Sequence, residues 1–224
     1  MNKSLALVLA VTLLVACAGN PVSPRRDSYT VRAGDTLYSI AWRNGLDYRE
    51  LARLNGIGRD YTIYPGQVLR LRSTAHVARP KPLPSTRRDT REARPTRPIT
   101  TGPPVQWSWP VRGVTVSVTT RPNGGQGLMM SGALGQEIRA AGNGRVVYTG
   151  TGMLGYGQLV IIKHNDTYLS AYGHTRDVRV RENQEVKAGQ IIATMGSGPN
   201  GDPMLYFEIR VNGRPVDPSA FLPK

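Results

Sequence analysis

The sequence is poor in cysteine and histidine, and these shortages limit its chemistry. One cysteine among 224 residues cannot form an intrachain disulfide or a Cys-based metal site. The three histidines are His76, His164 and His174, so residues 107–163 contain none. A zinc site needs three or four converging N, O or S ligands. Two histidines without a carboxylate at a matched spacing are therefore weak grounds for a metal centre.

The apolar run near the N-terminus is too short for a transmembrane helix. Leu5–Val15 follows Lys3 and is interrupted by a threonine, whereas a membrane span needs about 20 residues. The run ends in Leu14-Val15-Ala16-Cys17, which resembles the lipobox of bacterial lipoproteins. This resemblance implies removal of residues 1–16 and acylation of Cys17. An ordinary signal peptide with an incidental cysteine is the alternative.

Acidic residues are also scarce, and the chain carries 29 Lys and Arg against 15 Asp and Glu, a formal net charge of +14. Nucleic acid is the first partner that such a charge suggests. An exported lipoprotein does not meet a genome, so we expect anionic cell-wall polymers and lipid head groups instead. Ala18, in place of Asp, favours a lipid anchor in the outer membrane on its periplasmic face, by resemblance to Gram-negative lipoproteins. A basic surface that only aids solubility is the alternative.

Composition divides the chain into two folded regions and a linker. Residues 28–72 have the pattern of a small α/β module. Residues 73–106 are a basic linker, with seven prolines and seven Lys or Arg between Arg79 and Pro104, and we expect it to be extended and disordered. Residues 107–224 alternate short β-prone runs with glycine-containing turns, so the predicted fold class is α+β with a mainly antiparallel β domain. Examples of these runs are Val114–Val118, Gly144–Tyr148, Leu159–His164, Tyr168–Tyr172, Ile191–Met195 and Leu205–Val211.

The first module has the order β-α-α-β. A strand at Tyr29–Val31 precedes a helix that Asp35 or Thr36 can cap, with Leu37, Ile40 and Ala41 on its apolar face. Gly45 ends this helix, Asp47 caps a second helix, and Asn55-Gly56 closes that one. Val68–Leu71 forms the return strand.

Over its whole length this module resembles a LysM domain, from Tyr29-Thr-Val-Arg-Ala-Gly-Asp-Thr-Leu to Ile63-Tyr-Pro-Gly-Gln-Val-Leu. Family members bind glycans that contain N-acetylglucosamine, in a groove between two loops. The resemblance assigns Gly34, Asp35, Thr36 and Leu37 to one side of that groove, and Asn55, Gly56 and Ile57 to the other. For Asp35 and Asn55, helix capping or turn formation is an equally good explanation.

The second region resembles the lysostaphin/LytM zinc endopeptidases across nearly all of residues 107–224. The resemblance is carried by Gly155–Asp166, Tyr168–His174, Val186–Ala193 and Phe207–Pro218. Active members hold zinc with a His and an Asp from one segment and with the last His of a His-x-His motif. The aligned positions here are Gly125 and Met129, followed by Met204 and Tyr206, while His174 keeps the position of one catalytic histidine. We therefore expect neither a zinc cofactor nor peptidase activity.

Lipobox, LysM-like module, basic linker and degenerate LytM-like domain, in this order, resemble murein hydrolase activators of the NlpD and EnvC type. Such proteins switch on N-acetylmuramyl-L-alanine amidases during septal or envelope peptidoglycan remodelling. The resemblance implies that the former substrate groove binds the amidase. The candidate groove residues are Gly125, Met129, Tyr172, His174, Met204 and Tyr206. Methionine and tyrosine suit an adaptable binding surface, although Met129 and Met204 could simply fill the core.

Two other functions remain open at the level of sequence. The first is a peptidoglycan endopeptidase with an atypical site, which needs ligands that the sequence does not supply. The second is a passive wall-anchoring protein that uses the LytM-like fold as a spacer. Binding to a periplasmic amidase distinguishes an activator from this passive anchor.

Overall fold

The computed structural model describes residues 27–72, 104–120 and 126–224. Cys17, most of the predicted linker and Gly125 lie outside these ranges. The N-terminal domain consists of β1 (Ser28–Thr30), α1 (Leu37–Asn44), α2 (Tyr48–Leu54) and β2 (Val68–Arg70), and its two strands pair antiparallel. This order confirms the predicted β-α-α-β module.

Local chemistry fixes the ends of the two helices. Thr36, not Asp35, is the N-cap of α1; its hydroxyl accepts from the Ser39 amide, and Ser39 Oγ accepts from the Thr36 amide. Gly45 ends α1 in the left-handed region, with φ 66°. This conformation favours glycine because a Cβ would be strained there. Asp47 caps α2, because its side chain accepts hydrogen bonds from the backbone amides of Arg49 and Glu50.

The C-terminal domain is built around a large antiparallel sheet. The strands are β3 (Thr115–Thr120), β4 (Gln126–Ser131), β5 (Glu137–Arg139), β6 (Gly144–Gly150), β7 (Gln158–Lys163), β8 (Tyr168–Thr175), β9 (Glu185–Val186), β10 (Ile191–Thr194), β11 (Gly196–Ser197), β12 (Pro203–Val211) and β13 (Arg214–Val216), and a 3-10 turn follows at Pro218–Ala220. Seven of the strands lie in the order β3-β4-β12-β8-β7-β6-β9, β11 and β13 also pair with β12, and β5 pairs separately with β10. This topology confirms the predicted mainly antiparallel β domain.

The two faces of the sheet have different surroundings. Successive side chains of a strand point to opposite faces. Along β12, Leu205, Phe207 and Ile209 enter one buried apolar core. Met204, Tyr206, Glu208 and Arg210 occupy the other face, which is called the groove face below. Tyr206 belongs to a second apolar cluster on that side.

This second cluster joins the two domains. It includes Ile40 and Trp42 of the N-terminal domain together with Tyr156 and Tyr206 of the C-terminal domain. The backbones also meet closely at Gly213, whose φ is 75°. A Cβ on Gly213 would lie 2.6 Å from the Leu46 carbonyl oxygen, so both the conformation and the contact require glycine. Within residues 27–72, 104–120 and 126–224, no helix is long and apolar enough to cross a bilayer.

Candidate partner groove and interdomain glycan cleft

The structure brings together three of the predicted groove residues. Tyr206 lies on β12 directly opposite Met129 of β4 and opposite Gly173 of β8, and Met204 lies two residues before Tyr206 on the same face. Met129 and Met204 are half-buried. His174 follows Gly173 and is 7% exposed. Gly125 falls outside the described residues.

Tyr206 takes part in a buried hydrogen-bond network. Its hydroxyl donates to Glu208 Oε2 at 2.7 Å, and the Tyr156 hydroxyl donates to the same oxygen at 3.2 Å. The two tyrosine rings pack edge to face with centroids 5.6 Å apart. Gly127 makes room for the Tyr206 ring, because a Cβ there would lie 2.6 Å from the tyrosine hydroxyl. Tyr206 is 1% exposed, so its side chain offers no accessible surface to a partner.

His174 and Tyr172 occupy different surroundings although they are two residues apart. The His174 amide donates to the Tyr156 carbonyl at 2.7 Å, and His174 has φ 58°. Tyr172 is wholly buried in the core on the opposite face, where its hydroxyl accepts from the Ala141 amide. The structure therefore does not place Tyr172 in the groove, contrary to the sequence-based expectation. The physical reason is strand alternation, because Tyr172 pairs with the core residue Phe207 of β12, whereas its neighbour Gly173 pairs with Tyr206 on the groove face.

The residues that the resemblance assigns to the zinc-ligand positions do not fit zinc. Zinc in proteins is bound by Cys, His, Asp and Glu, whereas Met129 and Met204 offer thioethers and Tyr206 uses its hydroxyl on Glu208. The Glu208 carboxylate is itself paired with Arg210. In the part of the chain that the structure describes, no three His, Cys, Asp or Glu side chains form a group that could hold a metal ion.

His164 is a structural residue. Its Nδ1 donates to the Asn143 carbonyl, since a carbonyl can only accept, and its Nε2 lies 2.7 Å from Ser170 Oγ. Trp107 packs edge-on against the imidazole, with ring centroids 4.7 Å apart. Burial lowers the pKa of His164 to about 4. The ring is therefore neutral at pH 7, and both of its nitrogens lie within hydrogen-bond distance of a neighbouring residue.

The N-terminal domain packs against a buried ion pair, Arg210 with Glu208, next to the predicted groove. The sequence analysis did not predict this contact. Arg210 Nε donates to Glu208 Oε1 at 2.6 Å, and Arg210 Nη1 donates to the Trp42 carbonyl at 2.8 Å. The guanidinium lies 3.6 Å from the centre of the Trp42 ring. The Trp42 indole in turn donates to the Tyr156 hydroxyl at 3.0 Å. We call these five residues, Trp42, Tyr156, Tyr206, Glu208 and Arg210, the interdomain network.

A second, more polar contact between the domains is made by Lys163 of the C-terminal domain and two tyrosines of the N-terminal domain. Lys163 Nζ lies 5.3 Å from the Tyr48 ring and 5.7 Å from the Tyr61 ring, within cation–π range. Lys163 also pairs with Asp166 at 2.7 Å. Its hydrogen bond to Asp166 lowers the pKa of that carboxyl. The Tyr48 hydroxyl donates to Asp166 Oδ1 at 3.3 Å.

Most of the predicted glycan-binding side chains have structural partners. Asp35 accepts from the Tyr29 hydroxyl at 2.7 Å and pairs with Arg43 at 3.0 Å. Asn55 spans two elements, because its Nδ2 donates to the carbonyls of Leu51 and Arg70 and its Oδ1 accepts from the Arg70 amide. The Leu37 side chain is 1% exposed and belongs to the core.

A cleft of about 580 Å³ lies between the two domains and is lined by three of the seven predicted glycan-binding residues. Asp35, Thr36 and Leu37 line it, with Tyr38 and the loop 59–63 beside them. Asn55, Gly56 and Ile57 do not line it. On the N-terminal domain the cleft is therefore lined by the start of α1 and by the loop 59–63. The opposite wall is formed by residues of the C-terminal domain.

Comparison with known proteins places both domains. The LysM domain family matches residues 29–72, and Peptidase family M23 matches residues 123–218. Among solved structures, a zinc-containing peptidase from Vibrio cholerae aligns with 53% of this chain and 40% of its own, at 28% identity and a TM-score of 0.45.

Three relatives align over most of the chain. It is 42% identical to a Pseudomonas aeruginosa protein named Lipoprotein NlpD/LppB homolog, over 88% of this chain and 77% of that protein. It is 40% identical to the Escherichia coli uncharacterized lipoprotein YgeR, over 99% and 94%. It is 36% identical to the Escherichia coli murein hydrolase activator NlpD, over 88% and 68%. The chain therefore belongs to the NlpD family of lipoproteins, and it joins a LysM domain to a Peptidase family M23 domain.

Proposed function

We propose that this protein is a non-catalytic activator of a periplasmic N-acetylmuramyl-L-alanine amidase. Cys17 anchors it to the periplasmic face of the outer membrane, and the LysM domain binds peptidoglycan. One combination of features carries the proposal: the M23 sheet is formed, while the positions that the resemblance assigns to zinc ligands and a catalytic histidine are occupied by Met129, Met204 and Tyr206. A relative of the same family is named a murein hydrolase activator, which supports an activating role.

The chemistry of the groove suits binding rather than hydrolysis. Met129 and Met204 are half-buried thioethers on the groove face, at diagonal positions of the paired strands β4 and β12. Methionine adapts its shape to a partner and is favoured at protein interfaces. Tyr206 beneath them is held by Glu208. This surface can accept an apolar segment of the amidase without offering it a metal.

Binding can activate an enzyme only when the binding partner prefers the enzyme's active state. In this proposal the groove takes up the amidase segment that blocks the amidase's own zinc site. The free energy of that contact then shifts the amidase toward its open form. The activator itself forms and breaks no bond.

The test is amidase stimulation by residues 18–224, measured as dye release from labelled peptidoglycan. Met204→Glu places a charge at the half-buried groove position and should lower the stimulation at least about tenfold, the equivalent of about 1.4 kcal/mol of binding. Val118→Glu is the matched control, because Val118 is 60% exposed and opposite Leu128, on the other face of the sheet. Circular dichroism checks the fold of both variants.

The outcomes separate the candidate functions. Loss of stimulation in Met204→Glu with retention in Val118→Glu supports the groove as the partner site. Equal stimulation by both variants moves the interface elsewhere on the protein. No stimulation by the unsubstituted chain, with any amidase of the same bacterium, favours a wall-anchoring role.

A further inference from the structure

We infer that the glycan site of the LysM domain is completed by the M23 domain, so that a sugar chain in the interdomain cleft contacts both domains. This inference rests on the proposed peptidoglycan binding by the LysM domain. It assigns to M23 residues a carbohydrate-binding role that does not depend on the groove face or on the amidase.

The LysM side of the cleft offers backbone groups and aromatic rings. Thr36 and Leu37 line it at the start of α1. Tyr38 and Tyr61 stand next to each other, with ring centroids 5.7 Å apart. Tyr61 is held in a left-handed conformation, with φ 57°. Such a conformation is costly for a residue other than glycine, and contacts with Tyr48 and Lys163 hold the ring in place.

The M23 side faces these rings with long polar side chains. Arg145 of β6 and Glu185 of β9 line the cleft and pair with each other at 2.6 Å. Both are exposed, so their donors and acceptors can also reach a ligand. Glu182 and Asn183 extend the same wall. In isolation the LysM domain would lack this wall entirely.

The charge balance of the cleft identifies the class of ligand. Three cationic side chains line it, Arg59, Arg145 and Lys163, against four acidic ones, Asp35, Asp60, Glu182 and Glu185. A site for the carboxylates of a stem peptide would carry an excess of cations. Near-equal numbers of donors and acceptors instead suit a neutral sugar with hydroxyl and acetamide groups. The ligand is therefore the N-acetylhexosamine backbone of the glycan.

The size and rigidity of the cleft agree with this ligand class. A volume of about 580 Å³ lies within the range of about 300–1,000 Å³ that is typical of small-molecule sites. Two separate contacts hold its walls in register, Lys163 against Tyr48 and Arg210 against Trp42. A preorganised cleft binds with less loss of conformational freedom than two walls joined by a linker.

The experiment measures the affinity of residues 18–224 for chitotetraose, the β-1,4-linked tetramer of N-acetylglucosamine, by isothermal titration calorimetry. The variant combines Arg145→Ala with Glu185→Ala, which removes both polar side chains from the cleft and leaves the net charge unchanged. The control combines Arg139→Ala with Glu137→Ala, an ion pair of the same two residue types that is also exposed and lies outside the cleft. Thermal unfolding verifies that both variants are folded.

We expect the Arg145 and Glu185 variant to bind about tenfold more weakly, the loss of one to two hydrogen bonds, and the control to bind like the unsubstituted chain. Equal affinity of all three proteins would overturn the composite site and leave glycan binding by the LysM domain standing. Failure of the unsubstituted chain to bind chitotetraose would contradict the glycan function of the LysM domain, and the composite site with it.

Discussion

Replacing Arg210 by methionine tests the interdomain network most severely. Arg210 is 2% exposed and Glu208 is 0% exposed, so their charges compensate each other away from water. Arg210→Met keeps the bulk of the side chain but leaves the Glu208 carboxylate, among the residues that the structure describes, with the hydroxyls of Tyr156 and Tyr206 as donors. It also removes the donor to the Trp42 carbonyl and the cation that stacks on the Trp42 ring.

The magnitude follows from the burial of the pair. Removing one partner of a buried ion pair costs about 3–5 kcal/mol, because the remaining charge stays desolvated. Replacing both partners by neutral groups costs much less. The double variant Glu208→Gln with Arg210→Met should therefore be more stable than Arg210→Met alone, with a coupling energy of about 2 kcal/mol or more.

Urea unfolding of residues 18–224, followed by tryptophan fluorescence, measures these differences. With a slope of about 2 kcal/mol per molar urea, Arg210→Met lowers the midpoint by about 2 M. Arg145→Met is the matched control, since the exposed pair of Arg145 and Glu185 is worth less than about 1 kcal/mol. A loss below 1 kcal/mol in Arg210→Met, or a double variant less stable than the single one, would refute this account of the network.

Two further predictions concern the anchor and the pH dependence of stability. Cys17→Ser should leave the protein unacylated, so that it fractionates as a soluble or uncleaved form; unchanged membrane fractionation and processing would contradict lipidation at this residue. His164 has a pKa of about 4 in the folded protein, against an ordinary value of about 6.5 in the unfolded chain. The unfolded state alone therefore takes up a proton as the pH falls below about 6.5, and stability decreases by about 2 kcal/mol between pH 6.5 and pH 5. Thermal unfolding at both pH values should show this decrease in the wild type and a smaller one in His164→Asn; equal slopes would remove His164 as the cause.

Local sequence rules predicted the secondary structure well, because the signals are local. Thr36, Gly45 and Asp47 mark helix ends through their own side chains or backbone freedom. Six of the eleven strands of the C-terminal domain overlap the β-prone runs named above, whereas β4, β5, β9, β11 and β13 are not among those runs. Asp35 and Asn55, which the resemblance assigns to the glycan groove, also hold the fold together through Arg43 and the Arg70 backbone. Substituting them would test stability and glycan contact at once.

The packing of the two domains was not predictable from local pattern. Trp42 adjoins the apolar face predicted for α1, and nothing in that pattern says that its partner is Arg210, 168 residues away in sequence. The extended linker expected between the two folded regions gave no indication that they pack together. Arg210 beside Glu208 on a buried strand was the available signal, because two charges on a central strand need a covering element. In the structure the LysM domain covers these charges through Trp42.

A dye-release assay with and without an amidase distinguishes an activator from a peptidase. Residues 18–224 are mixed with labelled peptidoglycan alone, and then with a zinc-dependent amidase of the same bacterium. We expect no dye release by the chain alone, release above the amidase's own level when both are present, and no stoichiometric zinc in the purified chain by elemental analysis. Dye release by the chain alone that a chelator abolishes, with one zinc bound per chain, would show instead that the protein is itself a zinc peptidase.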